Sequence, residues 1–330
     1  MPNNDRRVLV FGASGQLGST IVEILARERT SAVAFLRHGS DYTPPENKGV
    51  SLFNGDLLDR QSVIDACSQQ ITHVIATASS IVPRQGDTFG TDDLHFYRNI
   101  LEGCRAGGIQ HLLYISAFPS PYDDQIPEFV IKRQVENLII TSGVPYTIFR
   151  GAAFMDVYYA VMGSSKVLEG VDHPTLLRGY WLTRLWSKMT GGILEKYGIA
   201  LIPGNGQTRQ SFICIDDVAR CMVGALDLPQ IRNRTVNLAG PMGISWREVA
   251  DLYGELMDRR IIKVPLPVWL LRGLGYLLSN TSPAGANMMK ILTLLAQYEF
   301  TPDMDPLSHE LGIPLTDTRT FLNQKLSSEI

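Results

Sequence analysis

The chain is poor in cysteine. Cys67, Cys104, Cys214 and Cys221 are scattered and no CxxC brings two together. That excludes zinc-ligand spacing and a disulfide framework, and no metal site is expected. Long apolar runs are also missing: no stretch reaches the ~18 residues a spanning helix needs. The opening MPNNDRR runs toward a strand without an apolar signal region. There is no basic block either. With 30 Lys and Arg against 33 Asp and Glu, the net charge of −3 gives no electrostatic footprint for nucleic acid. His73, His95, His111 and His173 do not cluster, so their spacing supports no Ser/His/Asp triad. These absences point to a cytoplasmic protein without a transmembrane segment, leaving peripheral contact with a membrane surface as its only membrane role.

What is present suits a packed core: 45% of the 330 residues are hydrophobic and 19% charged. Strand and helix signals alternate through the first half. Arg7 to Phe11 is a short apolar run, followed by a glycine-rich turn and a helix over roughly 16–28. Strands are expected at Ala32 to Leu36, Val50 to Asn54, His73 to Thr77, His111 to Ser116 and Tyr146 to Phe149, with helices at 61–69, 92–106 and 128–141. The expected fold is α/β: a doubly wound parallel Rossmann sheet with a smaller, mostly helical C-terminal lobe. Residues 1–150 form the dinucleotide-binding part and 151–330 a substrate or partner lobe interleaved with it.

Beyond residue 151 the rhythm changes. The segment 155–200 carries Tyr158, Tyr159, Tyr180, Trp181 and Trp186 and reads as helical and partly exposed. Residues 208–214 return to strand character before a helix from Asp217, and Val236 to Leu238 reads as the last strand. Ser245 and Glu248 fit a capping box. Val264 to Leu278 is the most apolar stretch and reads as a packed or interfacial helix. Exposed apolar surface at 155–200 and 264–278 would suit a protein partner.

Gly12-Ala13-Ser14-Gly15-Gln16-Leu17-Gly18 spells GxxGxxG. The pattern alone is weak, but here it directly follows a strand and opens a helix. Glycines let the backbone approach a pyrophosphate, and the helix N-terminus supplies amides and a favourable dipole. Gly12, Ser14, Gly15, Gln16, Leu17 and Gly18 are therefore cofactor-binding candidates. An acidic residue after the second strand would select NAD(H). Leu36-Arg37-His38 stands there instead, and Arg37 offers a planar, permanent charge to a 2′-phosphate, favouring NADP(H). Asp56, with Leu57, follows the third strand, where an aspartate can meet the adenine amino group or cap the next helix. Thr77, Ala78 and Ser79, after the fourth strand, would lie along a cofactor ribose.

These residues together resemble the NmrA-like branch of the atypical short-chain dehydrogenase/reductases. The likeness extends through Asn99-Ile100-Leu101-Glu102, Tyr114-Ile115-Ser116, Ile131-Lys132-Arg133 with Glu136, and Ser142 to Arg150. It continues to Ile215-Asp216-Asp217-Val218-Ala219 and Asn237 to Pro241. Within the branch the chain is similar to the photosystem II assembly factors and to the dinucleotide-binding accessory subunit of respiratory complex I. The resemblance implies further cofactor contacts from Ser116, Lys132, Phe149 and Phe154.

Active members of the superfamily place a tyrosine four residues before the lysine, so that the phenol passes a proton to a carbonyl oxygen. Lys132 matches the lysine, but Glu128 stands where the tyrosine should be. On an exposed face Glu128 and Lys132 would be a favourable i,i+4 pair worth only ~0.3 kcal/mol. Tyr122, in the SPYDD loop, is the substitute donor if that loop swings inward. Gly151, where the family has proline, suggests a looser turn. The first functional expectation is an NADPH-dependent oxidoreductase of a hydrophobic small molecule. The alternative is a non-catalytic redox sensor or assembly factor that binds a protein. Sugar-nucleotide epimerisation or dehydration is weaker, since it relies on the missing tyrosine.

Overall fold

A computed structural model describes residues 6–45, 49–81, 89–90, 92–171, 174–178 and 181–327. His173 and Tyr180 lie outside the described residues, as does the side chain of Trp181.

The first half alternates as the apolar pattern requires: β1 (Arg7–Phe11), α1 (Gln16–Arg27), β2 (Ser31–Leu36), β3 (Val50–Asn54), α2 (Arg60–Cys67), β4 (His73–Ala76), α3 (Asp93–Ala106), β5 (His111–Ala117), α4 (Pro127–Ile140) and β6 (Tyr146–Gly151). Expected and observed boundaries differ by no more than two residues. The strands are near-continuous apolar runs because both faces of a parallel sheet are covered. β1, β4 and β5 are almost wholly buried.

The second half continues with α5 (Met155–Val161), α6 (Thr175–Arg178), α7 (Trp181–Thr190), α8 (Ile193–Tyr197), β7 (Ile199–Pro203), β8 (Arg209–Gln210), α9 (Ile215–Gly224) and β9 (Arg234–Leu238). After these come β10 (Ile244–Ser245), α10 (Trp246–Leu256), β11 (Ile262–Leu266), α11 (Val268–Leu278), α12 (Pro283–Leu295), α13 (Asp305–Leu311) and α14 (Thr318–Ser327). The main sheet has seven strands in the order β3-β2-β1-β4-β5-β6-β9. All its pairings are parallel. β9, from the second half, is its outermost strand and pairs in register with β6 from Thr147↔Arg234 to Gly151↔Leu238. The strand order reverses between β1 and β4, where a crevice opens at the carboxyl ends of the strands.

Several second-half expectations need correction. Val236 to Leu238 is not the last strand, since β10 pairs with β8 and β11 with β7. The first residues of the apolar 264–278 stretch belong to β11, pairing from Ile262↔Ile199 to Leu266↔Pro203, and the helix begins only at Val268. Within 208–214 only Arg209–Gln210 is a strand. The 155–200 segment is mainly helical and partly exposed, with one of its aromatics packed deep inside. Tyr159 is fully buried, packs edge-on to Phe212 and Phe321, and its hydroxyl meets Thr318 Oγ1 at 3.0 Å. Tyr158 and Trp186 are half-buried.

Exposed apolar residues occur both in 155–200, at Leu177, Leu185, Met189 and Tyr197, and on α11. Leu271 and Gly275 face α12, and a Cβ on Gly275 would stand 3.3 Å from Met289 Cβ. That close approach turns Trp269, Tyr276 and Leu277 outward, with 74, 81 and 70% of their surface exposed. The capping box at Ser245 forms as the spacing predicts. No helix among the described residues is long and apolar enough to cross a membrane.

Candidate functional site

The glycine turn joins β1 to α1. Gly12 takes a left-handed φ of +83°, and a Cβ there would come within 2.6 Å of the Ala78 backbone nitrogen. A Cβ on Gly18 would stand 2.1 Å from Gly12 O, so α1 can approach β1 only because residue 18 has no side chain. The Gly15 N–H closes the turn on Gly12 O at 2.9 Å. No side chain caps α1, whose first-turn amides are therefore left for an external acceptor.

This turn borders a cavity of about 370 Å³ that runs across the carboxyl ends of the strands. Gly12, Ser14, Gly15, Gln16, Leu17, Gly18, Arg37, Leu57, Thr77, Ala78, Ser79, Ser116, Lys132 and Phe154 all line it. Asp56, Phe149 and Tyr122 do not. Asp56 turns back into its own loop, where its carboxylate accepts from the Leu58 N–H at 2.9 Å. Phe149 is fully buried in the core, on the strand rather than at its mouth. Tyr122 sits in a loop pinned by Asp123, whose carboxylate accepts from Ser120 at 2.9 Å and Arg133 at 2.7 Å. Those bonds oppose an inward swing. Gly151 does not loosen its turn: it is the last residue of β6, and its carbonyl accepts from the Phe118 N–H at 3.0 Å.

Lys132 is only 7% exposed, so it is not half of a surface ion pair with Glu128. Its ammonium donates to Ile115 O at 3.2 Å and lies 5.1 Å from the Tyr114 ring centre. Burial lowers its pKa, while the charges of Asp93, Glu128 and Glu136 act the other way. Glu128 also lines the cavity. Its carboxylate accepts from Asn287 Nδ2 at 2.9 Å, and its N–H donates to Asn287 Oδ1 at 3.1 Å. Burial raises the Glu128 pKa, opposed by Lys132 and the Asn287 hydrogen bond and reinforced by Asp93.

Asp93 and Glu136, outside the sequence-based candidates, and a contact between Gln16 and Thr175 shape these walls. Asp93 is fully buried and accepts from Ser79 Oγ at 2.8 Å and from the Ser80 N–H and hydroxyl, fixing the turn after β4. Glu136 is the centre of a buried network. It accepts from Ser116 Oγ at 2.6 Å, Arg133 at 2.5 Å, and Arg150 at 3.1 and 2.6 Å. Arg133 also donates to Ala117 O and Phe118 O, holding the loop after β5 against the cavity. The Ser116 hydroxyl is thereby turned toward Glu136. Finally, Gln16 Oε1 accepts from both the N–H and hydroxyl of Thr175 at 3.0 Å, tying α6 to the glycine turn.

The cavity lining also includes the apolar side chains of Phe118, Phe129, Val157, Met288 and Ile291, with Tyr158. His73 and His111 are remote from this lining and buried. Among the described residues no group of three or more His, Cys, Asp and Glu gathers to hold a metal.

A parallel sheet with a glycine turn at its switch point and an uncapped helix facing a cavity defines a Rossmann-type dinucleotide-binding protein. Comparison with known sequences agrees: residues 12–169 match the NAD(P)H-binding family. This part of the chain is an NAD(P)H-binding domain.

Among curated relatives, the photosystem II assembly factor Ycf39 of Trieres chinensis is 24% identical over 271 residues, covering 80% of this chain and 73% of its own. Phenylcoumaran benzylic ether reductase TP7 of Nicotiana tabacum is 22% identical over 280 residues, with 79 and 78% covered. Among solved structures, the triphenylmethane reductase of Citrobacter sp., complexed with NADP(H), aligns with a TM-score of 0.72 at 17% identity. The NADPH-dependent quinone oxidoreductase of Escherichia coli, complexed with NADPH, aligns at 0.70 and 18%. Each alignment covers 97% of this chain and 99% of the other, and at such identity the likeness establishes the fold.

Proposed function

We propose that the chain is an NADPH-dependent reductase of a hydrophobic small-molecule acceptor. One observation carries this reading: a single cavity joins the glycine turn and Arg37 to an apolar wall, with Lys132 and Glu128 on its lining. A bound dinucleotide fits that arrangement, with its pyrophosphate at the α1 amides and its adenosine end toward Arg37. Reduced nicotinamide bound there supplies hydride to an acceptor.

This chain's residues do the rest. Lys132 offers a buried donor for the nicotinamide ribose, and Thr77, Ala78 and Ser79 form the wall beside it. The Arg37 guanidinium, on the cavity lining, matches a 2′-phosphate bidentately. Phe118, Phe129, Val157, Met288 and Ile291 exclude water and favour a flat apolar acceptor. The reductase names among relatives and structural neighbours support the same reading.

Titration with NADPH and NADH tests it. Arg37→Ala should weaken NADPH about 10- to 100-fold, the worth of a charge-assisted phosphate contact, and leave NADH nearly unchanged. Gly15→Asp should weaken both, by setting a carboxylate against the pyrophosphate. Equal loss of NADPH and NADH in Arg37→Ala would remove the NADP preference. Failure of the wild type to bind either would remove the reading altogether.

The outward face of α11 favours a second role, docking on a protein partner, in line with the assembly-factor relative. A photo-crosslinker placed at residue 276 in cells should give a discrete protein adduct. Trp269→Glu should abolish it and Lys132→Ala should not. Lipid adducts instead would assign that face to peripheral contact with a membrane surface.

A further inference from the structure

We infer that the Glu128 carboxyl is the proton donor of this site, positioned by Asn287 of α12; the inference rests on the reductase reading above. Glu128 lies one helical turn before Lys132, so both project from one face of α4 into the same cavity. Asn287, itself 3% exposed, holds Glu128 at two points, its backbone N–H and its Oε2. No hydrogen bond from the described residues reaches the other oxygen, Oε1, leaving it for a ligand.

The charged and titratable groups around Glu128 are Lys132 on its own helix, Asp93 at the start of α3 and the Tyr158 phenol on α5. Lys132 does not form an ion pair with it, because its ammonium is directed at Ile115 O and the Tyr114 ring. The surrounding walls, Phe118, Phe129, Val157, Met288 and Ile291, solvate a carboxylate poorly and a neutral acid adequately. Tyr158 is the competing donor. Burial raises its pKa well above that of an ordinary phenol, so it releases a proton less readily.

In the step, a carbonyl acceptor takes two electrons and a hydrogen from the reduced dinucleotide, forming a C–H bond as the C=O π bond opens. Its oxygen forms an O–H bond with the proton leaving Glu128 Oε1. The bound dinucleotide would be left oxidised, and solvent would return a proton to the carboxylate. Asn287 stabilises the carboxylate, so it tunes where Glu128 titrates without touching the acceptor.

The experiment combines difference infrared spectroscopy of the dinucleotide-free full chain with NADPH oxidation by a panel of aromatic aldehydes and ketones. At a pH above the ordinary carboxylate range the wild type should still show the carbonyl stretch of a protonated carboxylic acid, which Glu128→Gln removes. The same variant should lose ~10²- to 10⁴-fold in kcat while its NADPH affinity stays within about twofold. Because the acid must be protonated to act, activity falls as pH rises through the Glu128 pKa. Asn287→Ala, which removes a bond favouring the carboxylate, should move that alkaline limb upward.

If Glu128→Gln alters the near-ultraviolet dichroism, Glu128→Asp replaces it, and slower turnover with a retained alkaline limb supports the assignment. Full kcat in Glu128→Gln, or loss in Tyr158→Phe alone, overturns this inference and leaves the reductase reading standing. A wild type that binds NADPH and reduces nothing overturns both.

Discussion

Glu136 offers a sharp test of how the cavity is held together. Its carboxylate is 3% exposed, yet it faces two guanidinium groups, Arg133 and Arg150, and the Ser116 hydroxyl. Burial alone would raise its pKa. Hydrogen bonds from Arg150 and Ser116, and the charges of Arg133 and Arg150, more than offset that and hold the carboxyl below its ordinary value. Glu136→Gln keeps the shape and one acceptor oxygen but leaves the partly buried Arg150 facing a neutral amide, while Arg133 keeps Asp123. Removing one partner of such a network costs about 3–5 kcal/mol.

Urea unfolding followed by tryptophan fluorescence, with the slope checked for constancy, should show a loss of that size. Adding Arg150→Met should recover part of it, since one stranded charge goes with the carboxylate. A group whose folded pKa is depressed contributes stability above its unfolded pKa, and that share is lost as pH falls through the folded one. Acidification below about pH 4.5 should therefore destabilise the wild type more steeply than Glu136→Gln. A variant within 1 kcal/mol of wild type at neutral pH would refute the reasoning, because Arg150 would then be satisfied without its anion.

Two other elements give predictions of different kinds. Burial, and then the charges of Arg6 and Arg232, push the His73 pKa down to about 4. Burial, followed by Arg232, His73 and Arg6, pushes that of His111 down to about 3. Each folded histidine stays neutral where the unfolded one binds a proton, so stability is full above pH ~6.5 and falls on acidification, by roughly 2–3 kcal/mol per histidine near pH 4.5. His111→Gln should flatten that slope in an unfolding series between pH 7 and 4.5, and an unchanged slope would assign it elsewhere. Gln16→Ala frees Thr175 from the glycine turn; stopped-flow NADPH dissociation should accelerate about three- to tenfold with little change in overall stability. An unaltered off-rate would mean that α6 does not hold the cofactor in.

The sheet was legible because each of its strands is a short apolar run closed by a turn signal, and because both faces of a parallel sheet must be covered. The glycine turn was legible for a similar reason: backbone contacts at Gly12 and Gly18 forbid a side chain, and only glycine meets that demand. What escaped depends on partners far along the chain. Val264 to Leu266 looks like the start of an apolar helix, and only β7 makes it a strand. Glu128 and Asn287 stand 159 positions apart, as do Gln16 and Thr175, and no periodicity links them. Asp93 gave no local signal, since a carboxylate in the first turn of a helix reads as an ordinary complement to its dipole. Phe149 was misplaced toward the cofactor because family likeness locates a strand more reliably than it tells which face a residue takes.

The parallel pairing of β6 with β9 also matters while the chain is being made. Roughly 87 residues separate Gly151 from Leu238, which at ~5–20 residues per second is ~4–17 s of synthesis. Throughout that interval β6 is an open edge, apolar and unpaired, at the rim of a sheet otherwise ready to form. Ribosome-bound chains stalled before residue 234 should therefore be those that chaperones and neighbouring nascent chains engage, and release should coincide with emergence of β9.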